Sequence, residues 1–143
     1  MKRLLLSALV TLLSSMPPLA AGQEVHAPFD FMVMGCMPYD AAGGFASFKH
    51  LIAAVNAERP AFTVHVGDTK SGASLCSDET LREIFAHFMQ FEGPLIYSVG
   101  DNEWTDCHRE SAGGYDPIER LAHLRALFFP EEKSLGQAPL PLV

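Results

Sequence analysis

Phe62-Thr63-Val64-His65-Val66-Gly67-Asp68 decides the fold: a short apolar run, then a glycine, then a carboxylate. The same order recurs at Phe31-Met32-Val33-Met34-Gly35-Cys36 and at Leu95-Ile96-Tyr97-Ser98-Val99-Gly100-Asp101. Glycine lets the backbone turn sharply at a strand end. The next side chain then projects at the carboxyl edge of the sheet, where open α/β folds place their sites. Two of the three projecting residues are Asp, a hard oxygen ligand; the exception is Cys36.

Working outward, the segments between these runs read as helices. Asp40-Ala41-Ala42-Gly43-Gly44 is a turn, and Phe45, Phe48, Leu51, Ile52 and Val55 follow at helical spacing, so 45–58 is an amphipathic helix ended by Arg59-Pro60. Ser77-Asp78-Glu79-Thr80 carries an N-cap and first-turn acids. Leu81, Ile84, Phe85, Phe88 and Met89 form the apolar face of the helix behind it, and Glu92-Gly93-Pro94 breaks it. A third helix is predicted from Asp116-Pro117 to Phe128-Phe129, with Ile118, Leu121, Leu124, Leu127 and Phe128 facing inward. The fold class is α/β, in the order β-α-β-α-β. Strands apolar along most of their length, joined by helices, argue a parallel, buried sheet with right-handed crossovers. The tail from Pro130 to Val143 shows no secondary structure of its own and reads as chain leading into something further.

Residues 1–22 read as a secretory signal: Lys2-Arg3, an apolar core from Leu4 to Leu13, and small residues near Ala20-Ala21-Gly22. The run is too short for a membrane span. The expected mature chain, 23–143, is one domain, periplasmic or secreted, with no membrane span. The formal charge of −7 becomes −9 without Lys2 and Arg3. No basic stripe exists, which disfavours nucleic-acid binding, and carboxylates at strand ends suit cations. Oligomeric state is not legible. Of the three cysteines, Cys76 and Cys107 each lie several residues past a Gly-Asp strand end, and neighbouring strands would place both on one edge. The expected pair is Cys76–Cys107, with Cys36 left as a free, partly buried thiol; other connectivities stay open. A thiol redox domain is disfavoured because no Cys-x-x-Cys occurs.

Asp68 and Asp101 could hold one divalent ion, or bridge two and clamp a displacement at phosphorus; each could equally cap a turn. Here the chain resembles a known family. Gly67-Asp68, Val99-Gly100-Asp101-Asn102-Glu103-Trp104 and Gly35-Cys36-Met37-Pro38-Tyr39 resemble motifs of the calcineurin-like metallophosphoesterases, in an exported bacterial branch whose first motif usually reads Gly-Asp-x-Pro-Tyr. The resemblance continues through Ser71-Gly72, Cys76-Ser77-Asp78-Glu79 and Thr105-Asp106-Cys107-His108-Arg109. It implies an α/β sandwich around a two-metal site, of which these residues form the N-terminal half, truncated before a later Gly-His-x-His ligand segment. A half sandwich would leave a sheet face or edge uncovered.

The resemblance further implies a metal-dependent phosphoester hydrolase. Mn, Fe, Zn and Mg are all compatible metals, and the substrate a phosphoester of undefined class. Asp68 would bridge the metals, Asp101 would bind the second, and Cys36 stands where the family supplies its first aspartate. Asn102 aligns with a histidine that protonates the leaving group or holds phosphate, and an amide cannot be a general acid at neutral pH. It is left to hydrogen-bond phosphate, Glu103 to support the turn, and Arg109 or His108 to orient phosphate, Arg109 being equally suited to a loop salt bridge. Tyr39 and Trp104 flank the site. His65, inside a strand, is expected as a hydrogen-bonded core histidine, and His50, His87 and His123 as surface or partly buried. The competing reading is a degenerate, non-catalytic exported protein, favoured by Cys36, Asn102 and the missing later ligands.

Overall fold

The computed structural model describes residues 27–39 and 45–142; the predicted signal and the Asp40–Gly44 turn lie outside them. Three short strands, β1 (Met32–Met34), β2 (Thr63–His65) and β3 (Leu95–Tyr97), alternate with α1 (Ala46–Glu58) and α2 (Asp78–Phe88). Two 3-10 turns, Thr105–His108 and Glu110–Ala112, lead into α3 (Pro117–Phe128). The sheet is parallel, in the order β1-β2-β3, with Met34, His65 and Tyr97 in register. The three strand-end loops therefore leave the sheet side by side. The chain is thus a mixed α/β fold with the expected element order.

Local chemistry explains the helix ends. Ser77 accepts the Thr80 N–H to cap α2, and Asp116 accepts the Ile118 and Glu119 N–H groups ahead of Pro117 to cap α3. Phe45, Phe48, Ile52 and Val55 are buried as the spacing of α1 predicts, and so are Leu81, Ile84 and Phe88 of α2. Met89, expected on that inner face, is instead the exposed C-cap. Ile118, expected inside α3, is 67% exposed. Arg120 is buried instead, its guanidinium donating to the Cys76 carbonyl and Asp78 and standing over the Tyr115 ring. A charge can take an inward position when its donors are satisfied, and a hydropathy pattern does not register that. His87 also departs from expectation. It is buried against Phe45 and Phe48, with Nδ1 beside the Gln90 amide.

One continuous apolar core joins the three helices to one face of the sheet, through Met32, Met34, Leu95 and Tyr97. Among the described residues, no element covers the opposite face. Val33, Val64 and Ile96 share one row across it, Val33 is 60% and Val66 54% exposed, and Phe31 stacks on Phe62 with ring centroids 5.1 Å apart. The sheet is therefore buried on one side only, a correction to the expected fully buried parallel sheet. The tail also differs from expectation. Leu135 exchanges both backbone hydrogen bonds with Leu95, 2.9 and 2.8 Å, and so pairs with the outer edge of β3.

The strand-end site

The carboxyl edge is built by close backbone approach. A Cβ on Gly67, whose φ is +90°, would fall 2.3 Å from the Gly100 nitrogen. A Cβ on Gly100 would fall 2.2 Å from Asp68 Oδ1 and 2.9 Å from Glu103 Oε2. Only glycine permits that contact, and through it the β2 and β3 loops interlock. Cys36 and Asp68 both take left-handed backbone, φ 53° and 57°, and the Cys36 N–H donates to the Gly67 carbonyl at 3.0 Å. Their side chains meet: Cys36 Sγ lies 3.8 Å from Asp68 Oδ2.

His65 holds these loops from below. Its Nε2–H donates to the Met37 carbonyl at 3.0 Å, and its Nδ1 accepts the Gly67 N–H at 3.2 Å. The ring is fully buried against Phe88, and burial pulls its pKa down to about 4, so it is neutral, as this pair of bonds requires. It is the hydrogen-bonded core histidine expected from the sequence, with a positioning role the sequence does not show.

Glu103 is completely buried two residues after Asp101. Its Oε1 accepts the Thr69 N–H and the Tyr97 hydroxyl, tying the β2 loop to the β3 loop. Its Oε2 and Asp68 Oδ1 are both buried without a hydrogen-bond partner. Burial holds the Glu103 carboxyl above the usual carboxylate range, and the Asp68 charge adds to the rise. Lys70, also buried, donates to the Ser71 and Asn102 carbonyls at 2.9 and 2.8 Å, and burial depresses its pKa. The sequence reads Glu103 only as a support of its turn and gives Lys70 no role, because a charged residue in a loop gives no sign of being buried.

The remaining expected residues are dispersed. Asp101 lies at the edge with its side chain exposed, and its carbonyl accepts the Trp104 and Asp106 N–H groups. Asn102 is buried, and its amide donates to the Tyr39 hydroxyl and the Lys70 carbonyl, both at 3.0 Å. Both amide hydrogens are thereby used within the protein. Arg109 pairs with Asp106 at 2.8 Å, the loop salt bridge weighed from the sequence. His108 is exposed, with Nδ1 2.7 Å from the Thr105 carbonyl. Trp104 lines an open depression with Val99, Leu121, Arg125 and Phe129, to which Cys36, Asp68 and Asp101 do not contribute. The Cys76–Cys107 disulfide is formed, with Cα atoms 5.7 Å apart, and anchors the turn carrying His108. Cys36 is free as expected but exposed rather than partly buried, because its loop lies at the rim of the edge.

Among the described residues no group of three or more His, Cys, Asp or Glu side chains stands ready to hold a metal ion. What the edge offers a cation is the Asp68 carboxylate beside the Cys36 thiol. Two unpartnered carboxylate oxygens, Asp68 Oδ1 and Glu103 Oε2, pack against Gly100, where like charges are costly unless a proton or a nearby cation offsets them. The chain matches no family model, no curated protein and no solved structure.

Proposed function

We propose that residues 23–143 are the N-terminal, metal-binding part of a calcineurin-like phosphoester hydrolase, exported by the signal at 1–22 to the periplasm or medium. The observation that carries this reading is the convergence of Asp68 Oδ1 and Glu103 Oε2, both buried and unpartnered, at the carboxyl edge of three in-register parallel strands. The open apolar face of the sheet adds support, since a half sandwich presents such a face.

In this reading Asp68 is the central ligand, with Cys36 on one side and Asp101 at the neighbouring strand end. Asp68, Cys36 and Asp101 would hold divalent ions, which would supply charge stabilisation for phosphoryl oxygens and a water of lowered pKa. Glu103 fixes the Asp68 loop through Thr69, and His65 fixes it through Gly67. Arg109 would reach a phosphate only by leaving Asp106, and His108 only by leaving the Thr105 carbonyl or through its other ring nitrogen. Asn102 orients Tyr39 through its amide, so the Tyr39 hydroxyl is the polar group it presents at the rim.

Hydrolysis of an aryl phosphomonoester and an aryl phosphodiester, assayed with Mn²⁺, Zn²⁺ and Mg²⁺, tests the reading. Asp68→Asn is the informative variant because Asn tolerates positive φ. Metal-dependent turnover that falls to the metal-free level in Asp68→Asn supports the assignment; turnover unchanged by the substitution overturns it. The second reading, a non-catalytic exported protein, is favoured by the internal engagement of Asn102 and Arg109. Metal binding at Asp68 with no turnover on either ester selects it.

A further inference from the structure

We propose that the depression framed by Trp104, Arg125 and Phe129 is a binding site for an aromatic ring that carries a phosphate. The ring and its negative charge are argued from the depression itself; that the acid is a phosphate rests on the preceding reading. Along α3, Leu121, Arg125 and Phe129 are spaced four apart and so stand in one row on the helix surface. That row meets Val99 and Trp104 around an open depression of about 610 Å³. Val99 directly precedes Gly100-Asp101, and the Trp104 N–H is held by the Asp101 carbonyl at 3.2 Å. The depression therefore begins beside the β3 strand end, next to the edge where the phosphoester reading places its chemistry.

The lining selects the occupant. Phe129, 37% exposed, lies flat against Tyr97, with ring centroids 5.8 Å apart and 5° between the planes. Trp104 is half-buried, and its backbone is fixed on both sides, by the Asp101 carbonyl and by the Cys107 N–H donating to its own carbonyl at 3.2 Å. Aromatic side chains held in place this way receive a planar ring at small entropic cost. Arg125 supplies the charge. Its neighbours three and four positions away are Leu121, Ala122, Phe128 and Phe129, none of them acidic, and it joins none of the ion pairs among the described residues. Lys133, on the neighbouring cleft between α2, α3 and the tail, is by contrast already held by Glu131 at 3.0 Å. A guanidinium without an acid beside two aromatic side chains is complementary to a ring bearing negative charge, because its planar fork takes two oxygens of one acid. A purely apolar occupant would take water from that guanidinium and return no hydrogen bond.

Trp104 is the single tryptophan of the chain, so the site carries its own reporter. The test is a titration of the full chain with phenyl phosphate in buffer containing a chelator, followed by Trp104 fluorescence excited at the red edge of its absorption. The expected result is a saturable change at millimolar concentration or below. Binding is at least about fivefold tighter than for inorganic phosphate or benzyl alcohol, each of which carries half of the chemistry. Arg125→Glu, at an exposed position, weakens it about tenfold. Adenosine monophosphate in place of phenyl phosphate separates the two sources of such a ring: tighter binding of the nucleotide assigns the depression to a base, tighter binding of phenyl phosphate to simple aryl esters. No saturable change overturns the site, as does binding no tighter than that of benzyl alcohol or phosphate. Undiminished binding in an Arg125→Glu protein that still unfolds cooperatively overturns it too. The two proposals fail separately. Saturable binding with no hydrolysis under any metal keeps the site and removes the hydrolase. Mn²⁺-dependent hydrolysis with equal kcat/KM on phenyl phosphate and glycerol phosphate, unmoved by Arg125→Glu, removes the site and keeps the hydrolase.

Discussion

Gly100 has room for a hydrogen atom and nothing larger, so a single methyl group should be felt across the whole edge. Gly100→Ala is expected to cost roughly 2–4 kcal/mol, because the new carbon meets the Asp68 backbone nitrogen at 2.3 Å as well as its carboxylate. The shift of the urea midpoint measures it, and a change below 1 kcal/mol would mean the loops are not interlocked. His65 gives a second residue-scale expectation. Its folded pKa lies near 4 against an ordinary 6.5, so below pH 6.5 the unfolded chain takes up a proton that the folded chain refuses. Its contribution is complete above pH 6.5 and is lost as pH falls toward 4, a decline on the order of 3 kcal/mol. Buried His87, also depressed, acts in the same direction. Urea midpoints between pH 7.5 and 4 should show this slope, and His65→Gln should flatten it; an unchanged slope in the variant assigns it elsewhere. At this scale the sequence was partly legible. Gly67, Asp68 and Gly100 announce tight turns at the strand ends by type and spacing. Glu103 and Lys70 do not, because their burial depends on two loops meeting across strands.

The helices differ in how firmly they begin. Asp116 takes two N–H groups, at 2.8 and 2.9 Å, where Ser77 takes one at 3.3 Å. Asp116→Ala should therefore destabilise more than Ser77→Ala, with values of about 1–2 and about 0.5–1 kcal/mol. Equal urea shifts, or a reversed order, would show that the caps are not what starts these helices. The disulfide acts between elements, closing 31 residues of sequence from the approach to α2 to the Thr105–His108 turn. Its reduction should cost roughly 3 kcal/mol, and hydrogen exchange should quicken first around His108 and Arg109. Protection that is lost uniformly would contradict a local anchor. Helix placement was readable to within a residue or two, because α1 and α2 bury the side chains their periodicity selects. The face of α3 was misread at Ile118 because hydropathy alone excludes Arg120. The guanidinium turns inward because Cys76 and Asp78, far away in sequence, supply acceptors beside that of the neighbouring Glu119 carboxylate.

Across the whole molecule the imbalance between the two sheet faces dominates. Among the described residues the helices cover one face, while Phe31, Val33 and Val66 are exposed and apolar on the other. The chain by itself is expected to self-associate, more strongly with rising salt, as apolar contacts do. Light scattering tests this, with Val33→Lys and Val66→Lys together expected to restore a monomer. A monodisperse parent chain would show that the open face is too small or too broken to adhere. Apolar strands predicted the parallel sheet; what they could not reveal is that the 98 residues from 45 to 142 supply helices to a single side. The tail carries a further consequence. By pairing with Leu95, Leu135 occupies the flank of β3, while among the described residues β1 pairs only with β2. Growth of this sheet is thus directional. Among the described residues, the backbone left for an incoming strand is that of β1, beside the stacked Phe31 and Phe62 rings, so such a strand extends the sheet away from β3 rather than toward it.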